Sequence, residues 1–193
     1  MAERRLVIAT GNAGKLGEYR DLLAGTGLTL MAVDPGVAEV GATYAENAQL
    51  KAEAARQALG LPAVGDDSGV EVDVLKGFPG IHSARIGPTQ KARTQVLLDR
   101  LQGHPHPWPA RFVCTIALAV PGRPTEFFDG ECRGEIIPDW KGVAGFGYDP
   151  VFLVPGTGRT FGEMSPDVKA RYSHRARAVR AMLASGALER LSV

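Results

Sequence analysis

Arg4-Arg5-Leu6-Val7-Ile8-Ala9-Thr10-Gly11-Asn12-Ala13-Gly14-Lys15 is the stretch that decides the fold class. Arg4 to Thr10 is an apolar run of strand length, Thr10 to Lys15 is a loop of small residues, and Leu16 to Leu23 reads as a helix. Strand, small-residue loop, helix is the opening of an α/β unit. The alternation continues outward. Leu28 to Val33 reads as a second strand. Thr43-Tyr44-Ala45-Glu46 matches a Thr-x-x-Glu capping box, and the helix it starts runs to about Leu59, where Gly60 and Pro62 stop it. Leu61 to Gly65 and Gly69 to Leu75 read as two short strands around a tight turn, Gly65-Asp66-Asp67-Ser68-Gly69, with a loop from Lys76 to Arg85 beyond them. Gln90 to Leu101 is an amphipathic helix. Arg111 to Val120 and Thr125 to Ile137 read as paired strands joined at Pro121-Gly122-Arg123-Pro124. Val151 to Val154 is a brief strand, and Ser173 to Leu183 a last helix. The prolines of His104-Pro105-His106-Pro107-Trp108-Pro109 remove donors and fix φ, which argues against helix or central strand there. The pattern predicts a single α/β domain with a mixed sheet over residues 1–193, without repeats or a linker.

Composition narrows the functions open to such a domain. The chain has 193 residues, 22 Lys plus Arg against 21 Asp plus Glu, and a formal net charge of +1. A general nucleic-acid binder needs a cation surplus to displace phosphate counterions, so that class is disfavoured, while a small anion held by a few local cations is not. Two cysteines, Cys114 and Cys132, without a Cys-x-x-Cys pair disfavour a disulfide framework or structural zinc and point to a reducing compartment. Leu6-Val7-Ile8-Ala9 is too short for a secretion signal, and no run approaches the ~18–20 apolar residues of a membrane span, so a cytoplasmic location is expected. Gly 24 and Pro 13 in a 45% hydrophobic chain indicate many tight loops between packed elements, which are either connectors or a site.

Four loops carry the residue types of a site. Thr10 to Lys15 offers backbone donors, a hydroxyl, an amide and a cation where a strand meets a helix N-terminus, a place that favours phosphate. It is not a P-loop: its glycines are three apart and Leu16 follows the lysine. Asp66-Asp67-Ser68 presents adjacent carboxylates, which either face solvent separately or share a hard cation such as Mg²⁺. Glu39 and Glu46 could complete an oxygen-rich site, Glu39 the better of the two because Glu46 caps a helix. Asn47 and Lys51, four apart on one helix, share a face, where the lysine is either solvated or aimed at the same anion as Lys15. Gly145-Phe146-Gly147-Tyr148-Asp149-Pro150 brackets two aromatics with glycines, suiting either core packing or a stacked base. Ser173-His174-Arg175 reads as an N-cap followed by two donors, which either open a surface helix or read a purine edge.

Taken in order, these segments resemble the inosine triphosphate pyrophosphatase family, hydrolases of non-standard purine nucleotides. The matching stretches are Thr10 to Lys15, Glu46-Asn47-Ala48 to Lys51-Ala52, Asp66-Asp67-Ser68-Gly69, Gly77-Phe78-Pro79-Gly80 through Ser83-Ala84-Arg85, Gly145 to Pro150, and Ser173-His174-Arg175-Ala176. The resemblance implies an elongated mixed central sheet flanked by helices, with two lobes and a nucleotide cleft between them. It implies Mg²⁺-dependent hydrolysis of ITP, dITP and XTP to monophosphate and pyrophosphate, usually by a homodimer. By the same resemblance Thr10, Gly11, Asn12, Ala13, Gly14 and Lys15 hold phosphates with Lys51, and Asp67 is the general base and, with Glu39, a metal ligand. Ser68 and Arg85 contact substrate, and Phe146, Gly147, Tyr148, Asp149, Lys169, His174 and Arg175 surround the base. Val40 after Glu39, Val168 before Lys169 and a short segment after Arg85 depart from the family pattern.

Two rival readings stand beside this one. A hydrolase of modified pyrimidine or methylated nucleotides would differ in its substrate panel. A nucleotide-binding module without catalysis would bind ITP and release nothing.

Overall fold

The computed structural model describes residues 4–191. Among these residues seven strands form one sheet in the order β2-β1-β3-β4-β5-β6-β7. The strands are β1 (Arg5–Ala9), β2 (Thr29–Val33), β3 (Ala63–Val72), β4 (Trp108–Ala119), β5 (Glu126–Ile136), β6 (Phe152–Val154) and β7 (Arg159–Thr160). The helices are α1 (Ala13–Leu22), α2 (Tyr44–Leu59), α3 (Gln90–Leu101), α4 (Pro166–Tyr172) and α5 (His174–Ala184). β1 pairs in parallel with both β2 and β3, whereas β6 is antiparallel to β5 and β7, so the sheet is mixed, as the alternation of elements predicts. No helix among the described residues is long and apolar enough to cross a membrane.

The chain forms two compact units, each assembled from separate segments. The first holds residues up to Asp67, Cys114–Gly130 and those from Arg175 onward; the second holds Ser68–Val113 and Glu131–His174. In the first unit the strand period of two sorts side chains between two faces. Leu6 and Ile8 of β1, Val64 of β3 and Cys114, Ile116 and Leu118 of β4 pack with Tyr19 of α1 and Val179 and Met182 of α5. Val7, Ala9 and Ala63 face the other way with Ala55 of α2, and Ala117 and Ala119 meet Ala48 and Ala52. The second unit has an aromatic core built on Trp108, Phe112, Phe152 and Phe161, with Leu97 and Leu101 of α3.

Four elements differ from the sequence reading. Asp66 and Asp67 are not in a turn: β3 runs unbroken through Gly65-Asp66-Asp67-Ser68-Gly69, and both acids are buried. Gly65 is there for close approach, since a Cβ on it would lie 2.4 Å from the Ala48 carbonyl oxygen and 2.6 Å from the Ala52 nitrogen of α2. α1 begins three residues before Leu16, because the Asn12 side chain accepts from the Gly14 and Lys15 N–H groups and caps it. β4 begins inside the proline-rich segment, at Trp108, with Pro109 exposed in its second position. α4 has no counterpart in the reading, although Ser165-Pro166 is a start signal with Pro at the first helical position.

The Gly65 contact yields a test. Gly65→Ala should destabilise the protein by about 1–3 kcal/mol in chemical denaturation, the range for forcing a methyl group into a packed interior. Wild-type stability would show that α2 does not need this approach.

Candidate active site

β1 pairs in parallel with β2 and with the first residues of β3, and it ends where its register with β3 ends. Ala9 is in register with Gly65, so the Thr10–Lys15 loop leaves β1 beside the two acids of β3. Ligands of α/β sheets gather at such strand ends. Because successive residues of a strand point to opposite faces, Asp66 and Asp67 meet different partners.

Asp66 faces α1 and α5. Its Oδ2 accepts from Arg175 Nε at 2.7 Å and from the Cys114 thiol at 3.7 Å, and its Oδ1 pairs with Lys15 Nζ at 3.0 Å. Lys15 also donates to the Asp66 carbonyl at 3.4 Å. The Arg175 guanidinium, 0% exposed, pairs through Nη1 with Glu18 as well. Burial pushes the Asp66 carboxyl up, but Arg175, Lys15 and Lys51 outweigh it and hold it well below the usual carboxylate range. The same burial pushes the neighbouring Tyr19 phenol and Cys114 thiol upward, so both stay neutral and leave the charge pattern to the ions.

Asp67 faces α2. Its Oδ2 accepts from Asn47 Nδ2 at 3.1 Å and its Oδ1 pairs with Lys51 Nζ at 3.3 Å. Glu39 pairs with the same Lys51 ammonium at 2.7 Å. Burial would favour neutral Lys51, but Asp66, Asp67 and Glu39 hold its pKa above the ordinary lysine value. Asp67 moves up: burial raises its carboxyl, the Glu39 charge adds to this, and Lys51, Lys15 and Asn47 offset only part. Two acids therefore share one cation, and one of them takes up a proton more readily than a free aspartate.

In the phosphate-type loop, several donors are already engaged. The Gly14 and Lys15 N–H groups go to Asn12, and the Asn12 N–H goes to Thr10 Oγ1 at 3.1 Å. Gly11, Asn12 and Ala13 are exposed. Glu46 occupies itself with the start of α2, its carboxylate accepting from the Ala42 N–H at 2.6 Å.

The second unit holds the remaining candidates. The buried Asp149 carboxylate accepts from the Phe146 N–H at 2.7 Å and pairs with Lys169 Nζ of α4 at 2.6 Å. The Lys169 ammonium lies 4.8 Å from the Phe146 ring centroid. A side chain on Gly145 (φ 73°) would strike the Asp149 carboxylate at 2.0 Å, so glycine is required for this turn. Tyr148 donates its hydroxyl to the Ser83 carbonyl at 2.7 Å, and Thr94 donates to the Gly147 carbonyl at 3.4 Å, which fastens the 145–149 turn to its neighbours. The His174 ring stacks on Phe112, centroids 4.7 Å apart and 8° from parallel. Arg85, exposed, donates to the Ile81 carbonyl at 2.8 Å. Ser68 follows Asp67 in β3.

Of the sequence candidates, the structure brings Lys15, Lys51, Glu39, Asp67 and Arg175 into one charged cluster of the first unit. It brings Phe146, Gly147, Tyr148, Asp149 and Lys169 together in the second. Sequence reasoning missed Glu18 and left Asp66 between facing solvent and sharing a cation with Asp67, whereas the structure pairs it with Arg175 and Lys15. Glu18 stands one turn from Lys15 on α1, which places it on the same helical face, but nothing local marks its pairing with Arg175, 157 residues away.

The first unit of this α/β protein thus gathers Lys15 and Lys51 with Asp66, Asp67 and Glu39 beside the Thr10–Lys15 loop. Comparison with known proteins narrows the class. The model of the Ham1 family matches residues 6–185, and the chain belongs to that family. It is 51% identical to the dITP/XTP pyrophosphatase of Gloeobacter violaceus over 93% of each chain. It is 46% identical to that of Thermus thermophilus over 93% of this chain and 90% of the relative. The Ham1 protein of Staphylococcus aureus superposes with a TM-score of 0.84 at 36% identity, covering 97% of this chain and 100% of that one. A HAM1 protein from Coxiella burnetii gives 0.85 at 34% identity, covering 96% and 99%. The family resemblance carried by the six ordered motifs is borne out.

The two aspartates predict opposite effects on stability. The fold lowers the Asp66 pKa, so its ionised form contributes stability above the ordinary carboxylate pKa that is lost as pH falls. The fold raises the Asp67 pKa, so stability declines as pH rises from the ordinary value through the folded one. At pH 7 Asp66→Asn should cost about 3–5 kcal/mol by leaving Arg175 short of its partner, whereas Asp67→Asn should be neutral or stabilising. Equal losses in guanidinium denaturation would contradict this assignment.

Proposed function

We propose that this chain is a nucleoside triphosphate pyrophosphatase that hydrolyses ITP, dITP and XTP to the monophosphate and pyrophosphate. The observation that carries the reading is Asp67: a buried carboxylate with a raised pKa, beside a lysine, in a chain 51% identical to a dITP/XTP pyrophosphatase. Such a carboxylate is a stronger proton acceptor than a free aspartate and is suited to take a proton from water.

The Glu39 and Asp67 carboxylates fit a magnesium ion. They come from different segments yet converge on one ammonium, and the Glu39 charge helps raise the Asp67 pKa. Among the described residues no group of three or more His, Cys, Asp and Glu side chains is placed to hold a metal. Mg²⁺ needs no such group, because it binds through one or two carboxylates and completes its shell with water and substrate phosphates. When bound, Mg²⁺ would supply positive charge to the phosphate oxygens.

The protein's own residues divide the remaining work. Thr10 to Lys15 and Lys51 hold the phosphates, and the two ammonium groups neutralise the charge that builds on the leaving pyrophosphate. Asp67 accepts the proton of the attacking water. Ser68 and Arg85 contact substrate. Phe146 stacks on the base, Gly147 gives it backbone access, and the Asp149–Lys169 pair sets that turn. His174 donates to O6 of hypoxanthine or xanthine. Adenine carries an amino group there and would leave the donor unpaired, at about 1–3 kcal/mol per group. Homodimerisation, a cytoplasmic location and a role in clearing non-standard purines from the nucleotide pool belong to the same proposal, on the strength of the family.

Pyrophosphate release tests the reading. With Mg²⁺ the protein should turn over ITP and XTP at least ~10-fold faster than ATP, as one unpaired donor requires, and chelation should stop the reaction. Asp67→Asn should lower kcat by at least ~10²-fold while the protein stays folded. Equal turnover of ITP and ATP, or a fully active Asp67→Asn, would overturn it.

A further inference from the structure

The end of β1 away from the Thr10–Lys15 loop carries a second basic feature, which the proposed activity does not use. Arg4 and Arg5 where β1 begins, Arg123 in the turn between β4 and β5, and Arg190 beyond α5 line one cavity of about 410 Å³. All four belong to the first unit. A strand advances about 3.3 Å per residue, so Arg5 and Thr10 lie roughly 16 Å apart, and the cavity is separate from the charged cluster around Asp67.

Two of the guanidiniums are anchored. Arg4 Nη2 donates to the Leu188 carbonyl. Arg190 Nη2 pairs with both Glu126 oxygens, at 3.0 and 2.8 Å, and its Nη1 donates to the Ser185 carbonyl at 2.9 Å. Arg5 and Arg123 are exposed, and among the described residues neither side chain has a hydrogen-bond or ion-pair partner. Their backbones are nonetheless fixed: Arg5 is in register with Thr29 of β2, and the Arg123 N–H closes its turn on the Val120 carbonyl at 3.1 Å. Little negative charge faces the group. Glu126 offsets Arg190, and Gly60, also on the wall, caps α2, whose C-terminal dipole is equivalent to roughly half a negative charge. The cavity stays positive in a chain whose formal net charge is +1.

We propose that this cavity is a second, non-catalytic anion site, and that its ligand is an oligophosphate chain. The proposal does not depend on the pyrophosphatase reading. Guanidinium forks match phosphate oxygens bidentately, and linked phosphates can engage several forks at once, whereas a lone carboxylate has two oxygens to share among them. The volume falls within the range of about 300–1,000 Å³ typical of small-molecule sites. Among the described residues no aromatic ring lines the cavity, so a nucleobase has nothing to stack on and the phosphates alone are read.

Tripolyphosphate is titrated into the nitrogen-15-labelled wild type without Mg²⁺, at about 0.15 M salt, where exposed charges are screened beyond ~8 Å. The amide resonances of Arg5, Leu61, Gly122 and Arg123 should shift along one saturable curve, separate from that of Gly11, Asn12 and Ala13. The double variant Arg5→Gln, Arg123→Gln should weaken the first curve at least ~10-fold, for which one lost charge-assisted contact is enough, and leave the second within about twofold. Should the double variant fail to fold, Arg123→Gln alone, in an exposed turn, gives the same readout. ATP should bind the cavity no tighter than tripolyphosphate. No saturable shift at the cavity, an unchanged first curve in the variant, or equal weakening of both curves would overturn the site. ATP binding more than about tenfold tighter would overturn the oligophosphate as its ligand. Both curves are read without turnover, so the outcome is independent of whether ITP is hydrolysed.

Discussion

Adjacent aspartates in a buried strand repel each other and resist desolvation, so each needs its own source of positive charge. β3 meets that requirement by pointing Asp66 and Asp67 to opposite faces. Asp66 receives a guanidinium and an ammonium. Asp67 receives an amide and a share of one ammonium, with Glu39 competing for it. The neighbours hold one carboxylate firmly ionised and give the other a higher proton affinity than a free aspartate. Much of the rest of the first unit can be understood as the means of holding these partners in place.

The apolar framework serves that end. Alanines on α2 and β4 and the bare Gly65 let α2 lie directly on the sheet, which brings Asn47 and Lys51 within reach of Asp67. On the other face larger side chains, Leu6, Ile8, Ile116 and Met182, keep α1 and α5 in place for Lys15 and Arg175. Small residues on one side and large ones on the other thus separate a short, contestable contact from a deeply buried pair. The second unit repeats the device once, where Asp149 uses Lys169 and the Phe146 N–H to hold an aromatic turn.

The α/β class was legible in the first twenty-odd residues, because strand, loop and helix signals there are local. The helix starting near Thr43 was equally legible from its capping box, and the structure shows the Thr43 cap on the Glu46 N–H. Gly65 to Gly69 misled because two glycines, two acids and a serine look like a turn. They form a strand only because cations from residues 15, 51 and 175 neutralise the acids, and such distant partners leave no periodic trace. The same holds for Glu18, whose partner lies 157 residues on. Residue types at the site could be read from the chain; which acid pairs with which base could not.

The central claim is that neighbouring carboxylates of one strand differ in proton affinity because they face different cations. Carbon-13 NMR titration of the aspartate carboxyls, assigned with Asp66→Asn and Asp67→Asn, measures this directly. The account predicts that Asp67 titrates above the ordinary aspartate value, while Asp66 shows no titration until acid unfolds the protein. Coincident titrations, or Asp66 taking up its proton first, would contradict it.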